Sequence, residues 1–208
     1  MYLLLSVLII FCILLMSEFG WRKRRFNNEF GRKFVHIAVG SFVAFWPFFL
    51  SWDEIRLLSV AFLLVVTVSA KFRIFKVIHS VQRPTFGEVC FAVTVGLLTY
   101  VTHSKGVYAA ALLQMSLADG LAAVFGNLYG RGNSYRILGH TKSVAGTTAF
   151  IVTSASLLVG YSVLGGHHLS VADIAIGASV AAFLENIAPL GLDNLVVPLF
   201  IGWFLTNL

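Results

Sequence analysis

The chain has 208 residues, 58% of them hydrophobic and only 12% charged, with a mean hydropathy of +0.88 and a pI near 9.6. A soluble domain carries about a quarter charged residues, so soluble folds are excluded and the chain reads as an all-α, polytopic integral membrane helix bundle. The formal charge of +6 does not imply nucleic acid, because helical membrane proteins become basic by gathering Lys and Arg on the cytoplasmic side.

At about 20 residues per crossing, the length suits one catalytic domain over residues 1–208 with about seven to eight transmembrane helices. Span 1 is expected over Leu3–Phe19, ending at the basic run Trp21-Arg22-Lys23-Arg24-Arg25. It lacks a basic leader and a small-residue cleavage site, so it reads as a retained span with its N-terminus outside. Span 2 covers Phe34–Leu50, with Trp46, Pro47 and Trp52 at its far interface. Spans 3 and 4 cover Ile55–Ala70 and Val89–Val101. Span 5, Val107–Leu128, carries Asp119. Gly126 falls near its end, and a loop with Gly130, Arg131, Gly132 and Arg136 leads to span 6, Val144–Leu164. Spans 7 and 8 cover Val171–Ile187 and Leu195–Leu205. Spans 3, 4 and 8 are short enough that one of them reads equally as re-entrant. Cys12 and Cys90 both lie in apolar runs and form neither a disulfide framework nor a metal pair.

Charge tests this topology. One set of loops holds 13 of the 15 basic residues, and the other holds only Arg56 and Lys105. The first set is therefore assigned to the cytoplasm. Polar residues gather at the same helix ends: Arg32, Lys33 and His36 at span 2, Arg83 and Glu88 at span 4, Asp119 in span 5, Lys142 at span 6, Glu185 in span 7, and Asp193 and Asn194 before span 8. Each has a plainer reading. Arg32, Lys33 and Lys142 serve equally as topology anchors, His36 as a packed interface residue, and Arg83 with Glu88 as a simple ion pair. Gly126 and Gly130 are spaced for helix packing. His140, His167 and His168 read as surface residues. Asp119 resists such a reading, because its neighbours along the helix offer no cation and an ionisable group within a span is costly.

The collected inventory suits an anionic nucleotide. Carboxylates hold Mg²⁺, which bridges phosphate oxygens. Lys and Arg offset the remaining charge, and glycines let backbone N–H groups approach phosphates. Phosphoryl transfer needs mainly positioning and charge stabilisation. Neither a Walker A motif nor a protein-kinase signature is present.

The blocks RKFVH (32–36), RPTFGE (83–88), ADGLAAVFGNLYGR (118–131), TKSVAGT (141–147) and ENIAPLGLDNLVVPL (185–199) together resemble the CTP-dependent polyprenol kinase family. That family includes dolichol, phytol and CTP-dependent diacylglycerol kinases and is related to phosphatidate cytidylyltransferases. The resemblance implies a multi-span enzyme that phosphorylates a lipid alcohol with CTP or another NTP at the cytoplasmic face. Asp119, Lys142 and Asp193 match the family's polar positions. Ala145 stands where many members carry Glu, as in phytol-kinase-like members, which leaves Glu185 or Asp193 to cover that role.

On this reading Asp119, Asp193, Glu185 and Glu88 are the metal-ligand candidates. Arg32, Lys33, Arg83, Gly126, Gly130, Arg131, Lys142, Ser143, Gly146, Thr147 and Asn194 are the nucleotide-binding candidates. Asp119, Lys142 and His36 are the catalytic candidates, with a carboxylate or His36 accepting the hydroxyl proton. Expected partners are the lipid alcohol, the nucleotide and membrane lipids, with no nucleic acid. Two rivals remain. One is cytidylyl transfer to a lipid phosphate, whose C-terminal Lys-Asp and His-Gly-Gly signature the chain lacks. The other is a small ion-coupled transporter using Asp119 and Glu88, against which the one-sided clustering argues.

Overall fold

The computed structural model describes residues 1–23, 28–72 and 86–208. Its helices are α1 (Tyr2–Arg22), α2 (Asn28–Ala44), α3 (Trp52–Phe72), α4 (Gly87–Val101), α5 (Lys105–Leu113), α6 (Asp119–Tyr129), α7 (Val144–Gly165), α8 (Val171–Ile187) and α9 (Asp193–Thr206). Each expected span has its helix, and among the described residues the protein is all-α apart from one hairpin, β1 (Ser134–Ile137) with β2 (His140–Ser143). Among the described residues three helical stretches are long and apolar enough to cross a membrane: Tyr2–Gly20, Lys105–Tyr129 and Val144–Gly165. Helices α4 and α9 are apolar but shorter.

The column α5–α6 is the centre. Of its apolar window 67% is buried, against 22% for the N-terminal stretch and 17% for α7. Its composition explains this. Ala109, Ala110, Ala111, Ala118 and Ala122 are all buried, and small side chains let neighbouring backbones approach where lipid provides no hydrophobic drive. Helices α2, α7 and α9 pack around the column; α1 lies on α2, α3 on α4, and α8 on α7 and α9. Gly40 of α2 shows how close the approach is, since an added Cβ there would sit 2.5 Å from Ser116 Cβ.

Between α5 and α6 the column widens into one π-helical turn, Gln114–Ala118. Such a bulge frees carbonyls from the regular ladder and is frequent at functional sites. Here it ends at Asp119. The hairpin is closed by two residues, Leu138 (φ 46°) and Gly139 (φ 81°), as a type I′ turn requires. Its register pairs Tyr135 with Lys142, so both side chains share one face. Ser143 then caps α7, its Oγ accepting from Gly146 N at 3.1 Å. Between α8 and α9 the chain turns through Leu190 (φ 56°) and Gly191 (φ 90°). Phe86 N donates to Leu190 O at 2.8 Å, which ties the start of α4 to the start of α9.

Candidate active site

The site begins with helix spacing on α2. Residues 33, 36, 37 and 40 lie one turn apart in a stripe, and that stripe faces the column. Gly40 meets Ser116, Ile37 lies against Gly120, and Lys33 Nζ donates to Asp119 Oδ2 at 2.7 Å. His36 Nε2 lies 3.0 Å from Met115 O, on the π turn, and 3.4 Å from Asp119 Oδ2. Lys33 and Asp119 are each 9% exposed. The cation that answers Asp119 is therefore Lys33, from 86 residues earlier in the chain.

Two further acids reach the same place. Asp119 of α6, Glu185 near the end of α8 and Asp193 at the start of α9 have carboxylate oxygens within 4.8 Å of one another. Lys142 of β2 donates to the Glu185 carboxylate and, at 3.1 Å, to the Glu185 carbonyl. Burial works against the Lys142 charge, but the Glu185 carboxylate and its hydrogen bond outweigh it, so the ammonium titrates above its ordinary 10.5. Three carboxylates thus face two lysines. Among the described residues of the cluster one formal negative charge is left over, and the hard oxygen donors fit a divalent cation that also carries phosphate.

The other expected residues divide. Asn194 sits beside Asp193, its Nδ2 donating to Gly87 O at 3.0 Å and its backbone carbonyl accepting from Thr94 Oγ1 at 2.8 Å. Its Oδ1 is buried with no hydrogen-bond partner. Arg32 and Glu88 are not in the acid cluster. They line an adjacent cavity of about 790 Å³, counting the space at its mouth. Ser143 is engaged as a helix cap, and Thr147 bonds Tyr135 and Asn186. Gly126, Gly130 and Gly146 bring α6 against the start of α7; a Cβ on Gly146 would lie 2.9 Å from Ala122 O. Arg131 is on the surface. Arg83 lies outside the described residues, as do Arg24, Arg25, Arg73 and Lys76 of the topology argument.

Sequence reasoning missed Tyr135 and Asn186. The Tyr135 hydroxyl bonds Thr147 Oγ1 and Asn186 Oδ1, and Asn186 is 7% exposed. The network locks the hairpin face onto the end of α8, which aims Lys142 at Glu185. The Leu-Gly pair at 138–139 was the available signal for a hairpin, but the segment reads as a loop because its strands have only four residues each.

The fold and the site define a helix-bundle membrane protein with a buried centre of three acids and two lysines at one end of the bundle. No family model and no solved structure matches the chain. A curated phytol kinase from Synechocystis sp. is 33% identical over 185 residues, covering 84% of this chain and 78% of that protein. The chain belongs to the polyprenol and phytol kinase family.

Proposed function

We propose that the protein is a membrane lipid-alcohol kinase that transfers the γ-phosphate of CTP, or of another NTP, to the hydroxyl of a lipid alcohol at the cytoplasmic face. The carrying observation is the convergence of Asp119, Glu185 and Asp193 within 4.8 Å, with Lys33 and Lys142 beside them. The phytol kinase relationship supports the reaction class. The 13:2 division of basic residues supports the cytoplasmic assignment, and a total of seven to eight crossings would add the remaining helices to the three long ones.

Asp119, Glu185 and Asp193 would hold Mg²⁺, which when bound supplies charge stabilisation to the transferring phosphoryl group. Lys33 and Lys142 neutralise carboxylates in the resting site and are placed to turn to phosphate oxygens when nucleotide arrives. The alcohol oxygen attacks the γ-phosphorus, the bond from that phosphorus to the β–γ bridging oxygen breaks, and the nucleoside diphosphate leaves. A loose transition state lets the hydroxyl proton depart late. His36 lines the cavity wall and stands against Asp119. With Nε2–H donated to Met115 O, its Nδ1 is the free acceptor, and that atom takes the proton.

The test uses purified protein in nanodiscs with γ-labelled CTP and phytol, a polyprenol or diacylglycerol. Labelled lipid phosphate with CDP supports the reading. Pyrophosphate with a CDP-lipid overturns it in favour of cytidylyl transfer, and solute flux without nucleotide consumption overturns it in favour of a transporter.

A further inference from the structure

The cavity beside the acid centre has two kinds of wall. Its apolar lining comes from α1 (Ile10, Leu14), α2 (Val35, Val39), α3 (Phe62, Val65) and Phe91 of α4. The polar lining comes from Arg32 and His36 on α2, Glu88 on α4 and Asn194 on α9, at helix starts on the site side, with Ser69 near the end of α3. Residues 32, 35, 36 and 39 form a second stripe of α2, next to the one that faces Asp119. His36 belongs to both stripes, so the polar end of the cavity and the acid centre share a wall.

The cavity lies between two helix pairs, α1 on α2 and α3 on α4, where Val65 is 53% exposed at the outer surface. Its floor is Val39, about one helical turn from His36, and the edge-on pair Phe62 and Phe91, 5.7 Å apart. Below them lies a smaller apolar void that shares Ile10, Val39, Phe62 and Phe91 with it. At the polar end Asn194 Oδ1 is an unpartnered, buried acceptor, held by the bond from its Nδ2 to Gly87 O. A buried acceptor without a donor is costly, and a hydroxyl would supply the donor.

We propose that this cavity is the acceptor slot for a single-chain lipid alcohol. The alcohol enters sideways from the bilayer between α1 and α3; on binding its O–H is donated to Asn194 Oδ1, and it turns to His36 Nδ1, on the same cavity wall, as the bond to phosphorus forms. Asn194 is thereby assigned to the alcohol and not to the nucleotide. The first isoprene units lie against Val39, Phe62 and Phe91, and the rest of the tail stays in lipid. Selection therefore falls on the structure next to the hydroxyl and not on tail length. A diacylglycerol, which divides into two acyl chains beside its hydroxyl, does not fit a single slot. This inference rests on the kinase reading for its chemistry.

The experiment compares wild type, Val65→Trp and Asn194→Ala over geraniol, farnesol, phytol, a long polyprenol and diacylglycerol, with KM measured separately for CTP. Wild-type kcat/KM is expected to vary less than about tenfold among the single-chain alcohols and to fall at least about tenfold for diacylglycerol, the scale on which pocket contacts discriminate. Val65→Trp, at an exposed position, is expected to raise KM for alcohol about tenfold without changing KM for CTP, and Asn194→Ala to raise it about threefold to tenfold. Preference for diacylglycerol, or a change in CTP KM alone, overturns the slot. A second readout does not need turnover: a photoreactive phytol analogue carrying a diazirine on its first isoprene units is expected to label α1 around Ile10–Leu14 and α3 around Phe62–Val66. Labelling of α7 or α8 instead overturns the proposal. If no alcohol is phosphorylated the kinase reading falls, while the labelling pattern still judges the slot.

Discussion

Replacing Asp119 with Asn removes the charge that faces Lys33, and it separates two accounts of the pair. At 2.7 Å and an effective dielectric near 20, the gross attraction is about 6 kcal/mol, most of it offset by the cost of burying both ions. Removing one partner leaves Lys33, 9% exposed, without its bonded carboxylate; Glu185 and Asp193 remain close enough to answer it in part, so the cost is at most that of an uncompensated buried charge, about 3–5 kcal/mol. For a chain of this length that corresponds to a fall of at most about 6–20 °C in apparent Tm. The double variant Lys33→Met with Asp119→Asn removes the pair together, keeps the wild-type charge balance of the cluster and is expected to recover most of that loss. Turnover should behave differently. If Asp119 holds the metal and phosphate, Asp119→Asn lowers kcat/KM by at least about 10³-fold, and the double variant stays as inactive as the single one. The assays are thermal unfolding in detergent and labelled-CTP turnover on the same preparations. A double variant that regains both Tm and activity to within tenfold of wild type would refute the reasoning and leave Asp119 as a structural partner of Lys33.

Three further outcomes are expected. Lys142 has a folded pKa above its ordinary 10.5, so its stabilising contribution is fully present below 10.5 and is lost only as pH rises through the higher folded value; the gap in apparent Tm between wild type and Lys142→Met should be constant from about pH 7 to pH 10 and shrink above that, and a gap closing near neutrality would contradict the Glu185 pairing. Gly146→Ala places a Cβ 2.9 Å from Ala122 O, forcing α7 away from α6 at a cost of about 1–3 kcal/mol, and should lower both apparent Tm and nucleotide use; a fully stable, active variant would show that the approach is not required. Chelation of divalent ions should abolish turnover and added Mg²⁺ should restore it, whereas Glu88→Gln should leave the Mg²⁺ concentration dependence unchanged, because Glu88 lines the cavity and lies outside the three-acid cluster.

Much of the architecture was legible because it depends on local quantities. Each expected span has its helix, and most ends fall within a few residues of the hydropathy edges; α2, at Asn28–Ala44, lies six residues before the expected Phe34–Leu50 at both ends. The departures have physical causes. Span 5 is interrupted by the π turn at Gln114–Ala118, which hydropathy does not register because a helix with one wider turn keeps the same composition. The segment after Tyr129 folds as a hairpin whose strands are too short for an alternation signal. On α2, Arg32, Lys33 and His36 stood together as candidates, and Lys33 is the residue that bonds Asp119. Positions 32, 33 and 36 all lie at the same helix end, and only the rotation of α2 about its axis decides which of them turns inward.

The sequence by itself determined that this is a basic, mostly apolar helical chain and that acids and bases gather at the same helix ends. These follow from transfer free energies, which are properties of residue types and their order. It also determined family membership, through blocks of residues that stand in a set order. Only the tertiary structure decided the pairings. Lys33 answers Asp119 across 86 residues, Lys142 answers Glu185 across 43, and three acids from three helices meet within 4.8 Å. The glycines that suggested a phosphate loop are used to bring α6 onto α7, and Asn194 reaches Gly87 across 107 residues. Such contacts depend on how helices rotate and approach one another, and close packing of small residues, a long-range property, sets both.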